Sequence, residues 1–470
     1  MNRCSDISSF TAHELLTHFR HRSLSPVEVT RDALERIERF EPRINAFVVV
    51  DSEAALAAAR ASEARWLKGE PIGLVDGLPT TIKDIVDMAG LPTRFGSLTT
   101  SSKPAAGDAP AVARLRECGA VFLGKTTLPE YGWIGACHSP LTGITRNPWN
   151  LERTTGGSSG GAAAAALLNL GVLHHGTDAA GSIRIPAAFT GVFGIKPSYG
   201  RVPAYPASVM TTLAHQGPLA RNVRDAALML SVMARPDARD ATAWTTPAPD
   251  YRIGLEDGVR GLRIAWSPRL GYVRTIDADV EATAAKAAKA FADLGAIVEE
   301  VDPDGPDPTE ILLTLWYSVS AAVILAKSPE DRERMDPGYL AIGEHGRRFS
   351  LFDYLQAQSR RAEYRNAMLR LHDRYDLLLT PQMPIPAIEA GRVTPADGRF
   401  GEDWINWSPY TYPFNLTQQP AASIPCGFAE DGLPVALQIV GPPGRDDLVL
   451  RAARAYESGH PIATLSEPRG

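Results

Sequence analysis

The chain has 470 residues, 44% of them apolar and 22% charged, with a net charge of −6 at pH 7. This is the composition of a soluble globular protein able to bury a large core. No long run of Lys or Arg occurs, which argues against nucleic acid or an anionic membrane surface as the main partner.

Length alone admits two or three domains, yet large α/β enzymes often run this long as one unit. Cys4, Cys118, Cys137 and Cys426 fit no zinc spacing and are too sparse for a disulfide scaffold. Met1 to Phe10 lacks the basic-then-apolar order of a signal peptide, and no apolar run reaches membrane-spanning length. These features predict a reduced, cytoplasmic protein.

Thr11 with Glu14, and Ser25 with Glu28, form capping-box patterns, the second with Pro26 at the first helical position. They predict two N-terminal helices over about 10–45, the second ending at Pro42. From about 46 to 235, short apolar strands alternate with helical stretches. Strands are expected over Pro79–Val86, Ala120–Leu123 and Val172–His175. Helices are expected over Pro110–Glu117 and, apolar almost all round, over Ala162–Leu170. This alternation predicts α/β layering on a mostly parallel sheet. Residues 236–252 read as a surface loop. A strand–helix–strand unit follows over Leu262–Trp266, Val280–Leu294 and Ile297–Val301. Helices fill 309–375, with Arg360, Arg361, Arg365 and Arg370 reading as a solvated face. The last part holds strands at Leu377–Leu379, Ala421–Pro425 and Val435–Val440, then a helix from Asp446.

Three glycine-bearing segments compete for the chemistry. Gly119-Ala-Val-Phe-Leu-Gly-Lys-Thr126 matches the phosphate-loop expression, but its middle residues form the strand itself. No helix N-terminus follows to receive a phosphate. Gly157-Ser-Ser-Gly-Gly161 fits a nucleophile elbow around Ser159, which needs an acid and a His downstream. His215, His345, His372 and His460 exist, but none stands in a recognisable context. The same glycines could simply cap the helix at Ala162. In Gly176-Thr-Asp-Ala-Ala-Gly-Ser-Ile-Arg-Ile-Pro186, small residues around Ser182 can aim several N–H donors at one oxygen, as an oxyanion hole demands. A tight turn is the alternative reading.

Lys83 in Pro79-Thr-Thr-Ile-Lys-Asp84, the run Gly156-Gly-Ser-Ser-Gly-Gly161, and Ser182 in Thr177-Asp-Ala-Ala-Gly-Ser-Ile-Arg184 resemble, in order, the signature segments of the amidase signature family. Gly124-Lys-Thr-Thr127, Asn147-Pro-Trp-Asn150, Gly194-Ile-Lys-Pro197, Gly217-Pro-Leu-Ala-Arg221 and Gly432-Leu-Pro-Val435 extend the resemblance to about residues 10–460. It implies an α/β fold with a large twisted mixed sheet covered by helices on both faces. It implies one domain over 1–470: N-terminal helices about 10–45, a signature core about 70–235, and a smaller C-terminal α/β part about 255–465 completing the same sheet.

The resemblance also implies a Ser-cisSer-Lys triad: Ser182 as nucleophile, Ser158 as proton relay after a cis Gly157–Ser158 peptide, and Lys83 as base. Burial of Lys83 in its strand should depress its pKa. The oxyanion would sit on the N–H groups of Ala179, Ala180, Gly181 and Ser182. Ala180 stands where the family more commonly has glycine, which puts that donor set in question. Gly157, Thr177, Asp178 and Arg184 would support the loop, or simply bond within a turn. No metal or organic cofactor is implied. The expected activity is hydrolysis of a small linear amide. The alternatives are the A subunit of a glutamine-dependent tRNA amidotransferase, with a partner chain, and an inactive scaffold of the same fold.

For the substrate pocket, Trp316, Tyr317, Trp404, Trp407, Tyr410, Tyr412 and Phe414 are candidates for an apolar or aryl lining, against ordinary core packing. Cys137 and His138 line the pocket or are a buried thiol and a satisfied imidazole. Symmetric dimers are the commonest soluble oligomers, so a homodimer is the candidate assembly, though the sequence does not fix it.

Overall fold

The computed structural model describes residues 7–469; Cys4 and most of the segment read against a signal peptide lie outside that range. Eleven strands form one sheet. Its spatial order is Phe47–Val50, Val121–Thr126, Pro79–Lys83, Leu173–Asp178, His215–Ala220, Phe193–Lys196, Ala421–Phe428, Pro434–Val440, Leu377–Pro381, Arg263–Trp266 and Ile297–Glu300. Strands from the first and last parts of the chain meet where Phe193–Lys196 pairs with Ala421–Phe428.

Side chains alternate between two cores, as the strand period requires. Leu378 joins one core, and Leu377 and Leu379 the other. Helices Gly160–Leu167, Arg184–Thr190, Thr309–Leu325 and Leu351–Leu369 cover one face. Pro110–Glu117, Val223–Met233, Ala278–Asp293 and Asp446–Gly459 cover the other. No helix among the described residues is long and apolar enough to cross a membrane.

Both capping boxes are present, at Thr11 and Ser25. The second helix, however, runs through Pro42 to Ile44. Its close lies at Asn45, which takes a left-handed conformation, and Glu41 there accepts the Ala46 and Phe47 N–H groups. The sheet is mixed rather than mostly parallel. Parallel pairing is confined to the neighbours of Pro79–Lys83 and of Arg263–Trp266. Short apolar strands read alike in either direction, so periodicity could not set their sense.

Arg361 is a further correction. It is buried, not part of a solvated face. Its guanidinium donates to Leu416 O at 2.8 Å and to Thr212 Oγ1 at 2.6 Å. Burial pulls its pKa down to about 10.

Candidate active site

Pro79–Lys83 and Leu173–Asp178 run side by side in parallel, so their C-terminal ends open on one edge of the sheet. Lys83 ends the first, and the Ser182 loop leaves the second. The serine-rich loop before Gly160–Leu167 joins them: Ser159 N–H donates to Ser182 O at 3.0 Å. The Gly157–Ser158 peptide is cis. Gly132 has φ +72°, and a Cβ there would lie 3.0 Å from Ser158 Oγ. Only glycine lets that backbone approach so closely.

Lys83 is fully buried. Its Nζ lies 2.7 Å from Ser158 Oγ, 2.9 Å from Thr177 Oγ1 and 3.0 Å from Ser159 Oγ. Burial lowers its pKa to about 7, only partly opposed by Cys137 and Asp178. A large fraction is therefore neutral near pH 7. Such an amine can accept a proton from a hydroxyl in contact.

The Ser182 loop is built on a buried ion pair. Arg184 Nε donates to Asp178 Oδ2 at 2.9 Å, and its Nη2 to Oδ1 at 3.0 Å. Burial alone would raise the Asp178 pKa; Arg184, with Lys196 and Asn415, outweighs it and holds the carboxyl well below the usual range. Arg184 also donates to Thr411 O, Asn415 Oδ1 and Gln438 Oε1. Three residues far along the chain thus hold the same guanidinium.

Gly181 departs from the expected donor set. Its N–H donates to Asp178 Oδ1 at 2.7 Å, so it is not free for an oxygen in the cavity. Ala179 and Ser182 both line that cavity. The left-handed position of the loop is Gly181, with φ +121°. Ala180 has no positive φ, so its methyl group carries no backbone penalty there.

Ser158, Thr177, Asp178, Ala179 and Ser182 open on a cavity of ≈ 250 Å³ whose apolar walls include Phe95, Tyr131, Trp316, Val209 and Met210. Of the residues expected from the sequence to line it, only Trp316 does. Tyr317, the next residue on the helix, points elsewhere and donates its hydroxyl to Asp403. Trp404 packs edge-on behind Trp316, and Trp407 stacks on Phe189. Cys137 is buried beside Gly160 and Thr127. His138 forms a short hairpin with Ile144.

The other motifs resolve in the same way. The phosphate-loop look-alike is the strand Val121–Thr126, with Lys125 paired to Asp84 at 2.7 Å in the interior. Ser159 is no elbow nucleophile, because its hydroxyl donates to Thr177 O at 3.1 Å. His215 lines the cavity, but its Nδ1 sits 2.7 Å from Leu213 O, and burial holds its pKa well down. Phe95, Tyr131 and the segment Ala204–Met210 line the cavity without having been expected to. Of these, only Tyr131 lies close to a segment singled out in the sequence, Gly124–Thr127; nothing there marks Phe95 or Ala204–Met210. No group of His, Cys, Asp and Glu among the described residues could hold a metal ion.

Comparison with known proteins identifies the family. The Amidase family model matches residues 28–450. An acylamidase of Rhodococcus erythropolis is 36% identical, with 96% of each chain covered. The glutamyl-tRNA(Gln) amidotransferase A subunit of Myxococcus xanthus (strain DK1622) is 37% identical, covering 98% of this chain and 99% of that one. The solved structure of a bacterial aryl acylamidase superposes with a TM-score of 0.89, at 30% identity and 96% coverage of both chains. The chain belongs to the amidase signature family and is an amidase.

Proposed function

We propose that this amidase cleaves uncharged amides with an apolar or aryl acyl group, using Ser182, Ser158 and Lys83. Ser182 Oγ attacks the carbonyl carbon and passes its proton to Ser158, whose own proton moves to neutral Lys83 Nζ. The developing oxyanion rests on the N–H groups of Ala179, Ala180 and Ser182. The C–N bond then breaks, and the proton returns through Ser158 to the departing nitrogen. Water attacks the acyl-Ser182 ester by the same relay and releases the carboxylate. Thr177, Asp178, Arg184 and Gly157 hold the two loops in place. Every proton transfer uses side chains of this chain.

The observation that carries the reading is the 2.7 Å contact between a buried Lys83 and Ser158. A reducing, cytoplasmic setting fits the free thiols of Cys118, Cys137 and Cys426.

The identity with the Myxococcus xanthus protein favours a second reading, an amidotransferase A subunit that works with a partner. The cavity lining weighs against it. Its lining includes Asp87 and, among the described residues, no Lys or Arg. A free amino acid such as glutamine brings a carboxylate that finds no cation there. The test is a mass-spectrometric screen of purified protein against aryl, aliphatic and amino-acid amides, with glutamine included. Release of benzoate from benzamide that is lost in Ser182→Ala supports the reading. Turnover of glutamine alone rejects it.

A further inference from the structure

We infer that Glu130 is a positioning residue that sets substrate selectivity by bracing the aromatic wall of the cavity. The inference rests on the proposed use of this cavity for the acyl group.

Phe95 and Tyr131 both face the cavity. Each is a bulky residue in the left-handed region, with φ +53° and +51°, a conformation that costs energy unless its surroundings hold it. Tyr131 N–H donates to Phe95 O at 2.7 Å, and the two rings stack at 5.6 Å. Behind them Tyr131 stacks on Tyr339 at 5.8 Å, and Tyr339 on Trp133 at 6.2 Å. The wall is thus a row of stacked rings drawn from three separate segments.

Glu130 ties those segments together. It is fully buried. Oε1 accepts the Ser97 hydroxyl at 2.5 Å, two residues beyond Phe95. Oε2 accepts the Asp336 N–H at 2.6 Å. Asp336 caps the helix Pro337–Gly346, which carries Tyr339. One carboxyl therefore sets the distance between the Phe95 loop and the Tyr339 helix, with Tyr131 next to it in the chain. Glu130 does not itself line the cavity, so it acts through the two rings. A flat aryl group resting on Phe95 and Tyr131 feels their spacing; a short aliphatic chain near Ser182 does not.

The experiment compares benzamide and propionamide in wild type, Glu130→Ala and Glu130→Gln. Benzamide binding is also measured by calorimetry with each change in a Ser182→Ala background. Alanine removes the acceptor of both a buried hydroxyl and an N–H, so KM and Kd for benzamide should rise about tenfold. The kcat for both amides and the KM for propionamide should stay within about twofold. A glutamine side chain at this position still accepts from Asp336 and, with the Ser97 hydroxyl reversed, still bonds it, so Glu130→Gln should restore wild-type values. Equal losses on both amides, no change on either, or a Glu130→Gln variant as impaired as Glu130→Ala would overturn the inference. If Glu130→Ala does not fold, Ser97→Ala removes one of the two bonds and is judged by the same split. Wild-type protein inert to both amides would count against the proposed function, while the calorimetric arm would still decide the role of Glu130.

Discussion

Ser159 Oγ lies 3.0 Å from Lys83 Nζ and has no hydrogen left to give it. Its single proton goes to Thr177 O, and it also accepts the Thr177 N–H at 3.2 Å. It can therefore only accept from the amine. A neutral Lys83 has two hydrogens and one lone pair. With Ser159 and Thr177 taking the hydrogens, the lone pair is left for Ser158. Replacing Ser159 by Ala should lower kcat on the order of 10²-fold through loss of this orientation, with KM little changed. Steady-state kinetics on one amide check it.

On the proposed mechanism, removing Ser182 or Lys83 should have the largest effect. Ser182→Ala and Lys83→Ala are each expected to cut kcat by a factor on the order of 10⁴ or more. The circular dichroism spectrum of Ser182→Ala should stay that of wild type. A fluorophosphonate probe should label wild type and not Ser182→Ala.

On the proposed mechanism Lys83 is the base and must be uncharged to act. Because burial brings Lys83 to about 7, kcat/KM should rise about tenfold per pH unit below that value and level off above it. Stability moves in the same direction. The unfolded chain keeps this amine protonated up to its ordinary value of 10.5. It therefore binds more protons than the folded one between about 7 and 10.5. In that window Lys83 makes stability increase with pH. Its share of the slope is the difference between wild type and Lys83→Met in denaturant titrations across those pH values.

The Ser182 loop makes two opposite predictions for neighbouring residues. Ala180→Gly should leave kcat within about twofold, since no left-handed angle is needed there. Gly181→Ala should abolish activity. It forces a side chain into φ +121°, with a Cβ 2.6 Å from that of Thr411. Thermal melting and turnover of the two variants compare them directly.

Asp178→Asn should destabilise the protein by about 3–5 kcal/mol, because Arg184 is then buried without its counter-charge. Urea unfolding monitored by tryptophan fluorescence measures it.

What the sequence reveals, and what it hides, follows from the range of the interactions involved. The capping boxes at Thr11 and Ser25 close within four residues and are legible. Lys83, Ser158 and Ser182 each sit in a short segment of recognisable pattern, and the structure brings the first two within 2.7 Å and the last two to one cavity. Pro42 misleads because a proline signal says nothing of the Glu41 carboxylate that secures the following turn. The cavity lining misleads more. Composition shows aromatic density around Trp404 and Trp407, but not that those rings pack against Trp316 and Phe189 instead of the substrate space. Phe95 and Tyr131 face it from two left-handed backbone positions that composition does not reveal. Nor can sequence show that Asp178 consumes the Gly181 N–H.

Arg184 reaches Thr411, Asn415 and Gln438, while Arg361 donates to the Asn415 and Leu416 carbonyls. During synthesis, Arg184 leaves the ribosome 227 to 254 residues ahead of those partners. The growing polypeptide thus carries the Ser182 loop, without its distal partners, through about half of its translation. On the proposed mechanism, reactivity at Ser182 therefore waits for those late partners to hold its loop.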